Sequence, residues 1–82
     1  MNRILIVEDE IAIVELIQAG LAKAGYACEY ALDGAAAADL IEHREYDLVL
    51  LDIMLPKLDE CELMEYIKPQ RIPVIFIPAR AA

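Results

Sequence analysis

The chain has 82 residues, enough for one domain, which we expect to span residues 1–82. Its net charge of −8 argues against binding of nucleic acid, because phosphate backbones attract surfaces rich in Lys and Arg. The apolar runs are shorter than the ~20 residues that cross a bilayer, and the N-terminus does not resemble a signal peptide. We therefore expect a cytoplasmic protein with no membrane partner.

The first half of the chain alternates strand and helix patterns. A strand is predicted over residues 3–7, a helix over 11–24, a weaker strand over 26–31 and an Ala-rich helix over 35–43. In the first helix Val14, Ile17 and Leu21 recur at helical spacing, and Gly25 ends it. The elements are short and follow one another closely, as in an α/β fold.

The second half continues the alternation. Residues 46–52, YDLVLLD, are nearly all apolar, which is typical of a strand covered on both faces. Asp59 can cap a helix that Pro69 ends, and residues 72–78, IPVIFIP, form the fourth predicted strand. The resulting order βαβαβαβ predicts a parallel sheet with right-handed crossovers and helices on its faces.

Acidic residues follow two of the predicted strands. The triplet Glu8-Asp9-Glu10 comes directly after the first strand, and Asp52 ends the third. Each group alone has a simpler explanation, as a strand end or as favourable charge at a helix start. If the two strands are neighbours, however, the carboxylates share one crevice at the carboxyl ends of the strands. They would repel each other unless a hard cation such as Mg²⁺ lay among them.

Three segments resemble the receiver domain of bacterial two-component response regulators: ILIVEDE, YDLVLLDIMLP and IPVIFIPAR. The resemblance implies a flavodoxin-like, doubly wound parallel sheet. It also implies that Asp52 is the phosphoacceptor, that Glu8 and Asp9 hold Mg²⁺, and that the backbone carbonyl of Met54 is a further ligand. Pro56 would shape the following loop. The phosphoryl group would come from a histidine kinase or a small phosphodonor, and the domain would catalyse at most its own phosphorylation.

The chain departs from that family pattern in three places. It ends after the fourth strand, so we expect a truncated domain without the last helix, strand and helix, and without the family's Lys. Pro78 stands where the family has Thr or Ser, and it offers neither a hydroxyl nor an N–H. Glu60 replaces a common Gly. These departures predict a phosphoacceptor that is impaired in switching.

Truncation also predicts self-association. Without a fifth strand, residues 73–78 would form an exposed apolar edge, and such edges recruit other chains. The alternative function is therefore a truncated or engineered receiver fragment that forms a homodimer or a domain-swapped oligomer through this edge, with a vestigial phosphorylation site. The high hydrophobic content, 60%, favours a covered surface of this kind. A small phosphatase is a weaker third hypothesis, supported by the carboxylates alone.

Overall fold

The chain folds into a parallel sheet that carries helices on both faces. The structure, a computed structural model, describes residues 2–53 and 60–77. Within them lie strands β1 (Arg3–Val7), β2 (Ala27–Ala31), β3 (Leu48–Asp52) and β4 (Val74–Ile77), helices α1 (Ile11–Lys23), α2 (Gly34–His43) and α3 (Glu60–Ile67), and a 3₁₀ turn at Lys68–Gln70. The strand order is β2-β1-β3-β4, which confirms the predicted fold class.

The register of the sheet aligns the strand ends that matter for function. Val7 of β1 pairs with Ala31 of β2 on one side and with Leu51 of β3 on the other. Glu8 follows Val7, and Asp52 follows Leu51. Both residues therefore lie at the same edge of the sheet. The condition for the carboxylates to share one crevice, that the first and third strands are neighbours, is met.

The two faces of the sheet carry buried clusters of different size. On one face, here called the α2/α3 face, the buried cluster includes Leu5, Val7, Val49, Leu51, Ile41 and Leu63. On the other, the α1 face, the buried cluster consists of Ile4, Ile6 and Val14. Successive strand residues point to opposite faces, so both clusters follow from the apolar runs of β1 and β3.

Helix ends follow local sequence signals. After α1, Gly25 takes φ +92°, a left-handed conformation in which a Cβ would be strained. Its N–H donates to the Ala22 carbonyl at 3.0 Å, and the N–H of Tyr26 donates to Leu21 at 3.0 Å. At the start of α2, the Asp33 carboxylate accepts the N–H of Ala36 at 2.8 Å.

A polar network joins β1 and β2 to the segment between α2 and β3, away from the acidic residues. The buried Tyr46 donates its hydroxyl to Glu29 at 2.7 Å, and Arg44 donates to the same carboxylate at 3.2 Å. Burial, followed by the bond to Glu29, raises the pKa of the Tyr46 hydroxyl far above its usual range. Arg3 lies 3.7 Å from Glu29 and completes the network.

Strand β2 begins one residue later than predicted, and strands β3 and β4 begin two residues later. β3 begins at Leu48 rather than at Tyr46, because Tyr46 is used in the polar network and the Asp47 side chain accepts the N–H of Arg3 at 2.7 Å. β4 begins at Val74, after Pro73, which lacks an N–H for the sheet. Among the described helices, none combines the length and the apolar character that crossing a membrane requires.

Candidate functional site

Three carboxylates meet at the carboxyl edge of the sheet. One oxygen from each of Glu8, Asp9 and Asp52 lies within 4.8 Å of the others. Glu8 and Asp52 are fully buried, and Asp9 is half-buried. The cluster is thus closed on the protein side and reachable through Asp9, as a site for an ion that retains water would need.

The fold itself produces this convergence. β1 and β3 are adjacent parallel strands, so both deliver their last residues to the same edge. The N–H of Glu8 donates to the Ala31 carbonyl at 3.0 Å, which extends the pairing of β1 with β2 by one residue. Similarly, the N–H of Ile53 donates to Ile77 at 3.2 Å and fixes the backbone just beyond Asp52. Both carboxylates therefore stand on a rigid part of the sheet.

The start of helix α1 adds a second fixed element. α1 begins at Ile11, immediately after the acidic triplet, and the positive end of its dipole favours negative charge there. The Glu8 carboxylate also accepts the backbone N–H of Glu10, with 3.0 Å between Oε1 and the nitrogen. The turn that carries Asp9 is thereby tied to a buried side chain.

The donor set fits a hard divalent cation. Carboxylate oxygens are the ligands that Mg²⁺ prefers, and Mg²⁺ typically uses one or two carboxylates while keeping several waters. Three carboxylates this close repel each other strongly when part of the site is dry, and a divalent cation relieves that repulsion. The arrangement could therefore hold a metal ion and place a nucleophilic oxygen beside it.

For four of the predicted site residues, the structure does not describe the side chain. Met54 and Pro56, which follow β3, lie outside the described residues, and so does Pro78 after β4. Glu60 is the first residue of α3, and its side chain also lies outside them. Their roles stay predictions.

One contact in the site was missed by the sequence analysis. The hydrogen bond from the Glu10 amide to Glu8 joins two residues that the pattern treated as equivalent acidic groups. The only signal for it was position: a carboxylate two residues before a helix start is well placed to accept an amide there.

Comparison with known proteins decides the family. The family model for the response regulator receiver domain matches residues 4–82. The chain belongs to this family. The resemblance found in the three sequence segments is thus confirmed, and receiver domains are regulatory domains rather than enzymes.

Individual relatives agree with this assignment. The receiver chain is 43% identical, over 81 residues, to the transcriptional regulatory protein DltR of Streptococcus agalactiae, covering 96% of this chain and 36% of that protein. A CheY-like receiver domain from Methanospirillum hungatei superimposes with a TM-score of 0.84 at 32% identity, covering 93% of this chain and 62% of the other. TrrA from Thermotoga maritima, solved in complex with Mg²⁺-BeF, gives a TM-score of 0.78 at 34% identity, with coverages of 93% and 66%.

The chain therefore spans about a third of the curated relative and less than two thirds of these solved structures. In both solved structures the match covers 93% of this chain.

Proposed function

We propose that residues 1–82 act as a receiver module that accepts a phosphoryl group on Asp52 in a Mg²⁺-dependent reaction. The observation that carries this proposal is the convergence of Glu8, Asp9 and Asp52 within 4.8 Å at the ends of β1 and β3. The likeness to TrrA, a protein solved with Mg²⁺-BeF, supports the same assignment. The donor would be a histidine kinase or a small phosphodonor.

The residues of the chain have distinct tasks in this reaction. Glu8 and Asp9 would hold Mg²⁺ together with Asp52, and the backbone carbonyl of Met54 would add a further ligand. When bound, the ion neutralises charge on the transferring group and on the carboxylates. An oxygen of Asp52 attacks the phosphorus in line and forms a P–O bond, while the bond from phosphorus to the donor breaks and its electron pair leaves with the donor.

Burial of Asp52 contributes to this chemistry. The side chain is fully enclosed, and the register of β3 against β1 fixes its backbone. A nucleophile held in this way needs little reorganisation before attack. Asp9, which is half-buried, leaves the cluster open on the side from which a donor can approach.

We further propose that phosphorylation is poorly transmitted. Pro78 follows Ile77, the residue that pairs with Asp52, so it stands one position beyond the site in the sequence. Since proline has neither a hydroxyl nor an N–H, it offers no donor to a phosphoryl group on Asp52. The switch found in receivers with Thr or Ser at this place would then be impaired.

Phosphorylation is tested by incubating the chain with acetyl phosphate and Mg²⁺ and measuring intact mass. We expect the mass of one added phosphoryl group in the wild type, loss of that species with excess EDTA, and loss in Asp52→Asn. Asp39→Asn is the matched control, because Asp39 is an exposed carboxylate on α2. An unmodified wild type, or labelling that persists in Asp52→Asn, would contradict the proposal.

A second candidate function is self-association of this chain through β4. In the described residues β4 pairs with β3 alone, and Ile75 and Phe76 are 51% and 46% exposed. The carbonyls of Pro73 and Ile77 face β3, since they accept the N–H groups of Val49 and Ile53. By alternation, the backbone groups of Val74 and Phe76 face outward.

This edge is self-complementary. An antiparallel pair centred on Ile75 would align Val74 of one copy with Phe76 of the other, so that their outward N–H and C=O groups bond mutually. Light scattering on a size-exclusion column should then give the mass of a dimer, and Ile75→Lys should give a monomer. Leu16→Lys on α1, where Leu16 is 74% exposed, should leave the dimer intact. A monomeric wild type would refute this candidate.

A further inference from the structure

We propose that the backbone amide of Glu10 is a positioning group for the metal site, acting through the Glu8 carboxylate. This inference rests on the proposed function, since it concerns the same carboxylates. It assigns a role to Glu10, which the proposed ligand set does not include, and it links the site to helix α1.

The contact itself is a hydrogen bond from the backbone to a buried carboxyl group. The Glu10 N–H donates to Oε1 of Glu8 at 3.0 Å, and the Glu8 side chain is fully buried. Hydrogen bonds from a backbone N–H to an ionised carboxylate are stronger than those between neutral groups. Because the bond joins residues two apart, it closes the turn in which Asp9 lies.

Glu10 is in turn anchored to α1. It is the N-cap residue, and its carbonyl accepts the N–H groups of Ile13 and Val14, each at 3.1 Å. Val14 is 1% exposed and packs against Ile4 and Ile6 on the α1 face. A continuous set of contacts therefore runs from the packed helix through the Glu10 backbone to the Glu8 carboxylate.

The side chain of Glu10 takes no part in capping. It makes no cap hydrogen bond at the start of α1, and the residue is exposed. The positioning role is thus separable from the side chain, and a variant that removes only the amide hydrogen can test it. Proline does so while keeping the carbonyl, and the φ of −95° at this residue lies near the proline range.

The primary experiment measures Mg²⁺ affinity by isothermal titration calorimetry for Glu10→Pro and Glu10→Ala. Both variants remove the side-chain charge. The ratio of their Mg²⁺ affinities therefore reports the loss of the amide hydrogen and the presence of the proline ring. Loss of a hydrogen-bond partner behind a metal ligand typically weakens affinity by ~10–100-fold. We expect about tenfold weaker binding for Glu10→Pro than for Glu10→Ala. Equal affinities would overturn the proposal.

A double-mutant cycle separates positioning from a general disturbance of the turn. In a Glu8→Ala background the carboxylate is gone. The variants Glu10→Pro and Glu10→Ala should then bind Mg²⁺ with equal affinity. If the same ratio persists in that background, the proline acts through the Asp9 backbone or the helix start, and the proposal is wrong.

Amide hydrogen exchange tests the proposal without any variant. Mg²⁺ should slow exchange at the Glu10 amide, which Glu8 holds, more than at the Ile13 amide, which bonds to the Glu10 carbonyl. Equal slowing of both amides would overturn the specific role of Glu10. A wild type that does not bind Mg²⁺ would instead refute the proposed function, and this inference with it.

Discussion

The two faces of the sheet differ in how they are built. On the α2/α3 face the buried cluster holds eleven residues, contributed by three strands, by α2 and α3, and by residues beside these elements. On the α1 face it holds three, Ile4, Ile6 and Val14, with half-buried neighbours such as Leu48 and Leu50. Both counts refer to residues 2–53 and 60–77. Within these residues, most of the buried apolar side chains therefore lie on one face.

The buried functional residues Glu8 and Asp52 belong to the α1 face. By alternation along β1, Glu8 follows Ile4 and Ile6, and along β3 Asp52 follows Leu48 and Leu50. The α1 face, which has the smaller buried cluster, is thus the face on which β1 and β3 lead to buried carboxylates. Stability and chemistry are divided between the two faces, and substitutions can test how far that division holds.

The largest expected effect is on the α2/α3 face. Ile41 of α2 is fully buried, and Ile41→Ala should lower the free energy of unfolding by about 2–5 kcal/mol, the usual cost of such a cavity. Because a typical domain has only ~5–15 kcal/mol in total, part of the population should unfold near room temperature. Urea denaturation followed by circular dichroism measures the change.

Val14→Ala on the α1 face provides the contrast. Val14 is 1% exposed, but it loses fewer carbon atoms and belongs to a smaller cluster, so we expect about 1–2 kcal/mol. An effect as large as that of Ile41→Ala would show that the α1 face contributes as much to stability as its opposite, and would break the proposed division.

A medium effect distinguishes the starts of the two helices. Asp33→Ala removes the carboxylate that caps α2 and should cost about 1 kcal/mol. Glu10 is the corresponding N-cap residue of α1, but its side chain makes no cap hydrogen bond. Glu10→Ala should therefore change the free energy of unfolding by less than about 0.5 kcal/mol. Thermal unfolding of both variants gives the comparison, and similar losses would mean that the Glu10 side chain stabilises α1 after all.

The sequence was most informative where local pattern and burial agree. The run RILIV gave β1 with its observed bounds, and the apolar spacing with Gly25 gave α1 to within one residue. Convergence of Glu8 with Asp52 was predicted on the condition that the first and third strands are neighbours, which the strand order meets. Strand ends were less predictable, because Tyr46 leaves the expected strand to bond with Glu29, seventeen residues away. No local pattern encodes a contact of that separation.

The local geometry of the turns could not be predicted from the sequence pattern either. The sequence signal at Pro69 marked the end of the third helix, but α3 ends at Ile67 and continues as a 3₁₀ turn closed by Arg71 at φ 56°. Gln70 donates from this turn to the Ile41 carbonyl at 2.6 Å and joins it to α2. A side chain that bonds to a distant backbone group depends on tertiary placement, which periodicity does not contain.

The smallest expected effect concerns the exposed end of α2. His43 is the single histidine of the sequence, and its Nδ1 lies 2.8 Å from the Asp39 carbonyl oxygen and 3.4 Å from an oxygen of the Asp39 carboxylate. The hydrogen bond to that carbonyl, and then the carboxylate charge, raise the pKa of His43 above 6.5. NMR titration of the ring proton should place it there.

The sign of the pH dependence follows from this shift. Since the pKa of His43 is raised in the folded state, its contribution to stability is complete below about pH 6.5 and is lost as the pH rises through the folded-state pKa. Asp39→Asn should lower the pKa of His43, because it removes the carboxylate charge while the backbone carbonyl remains as acceptor. A pKa unchanged by Asp39→Asn would mean that the Asp39 carboxylate is fully screened, and that the Asp39 carbonyl and the charge of Glu42 account for the raised pKa.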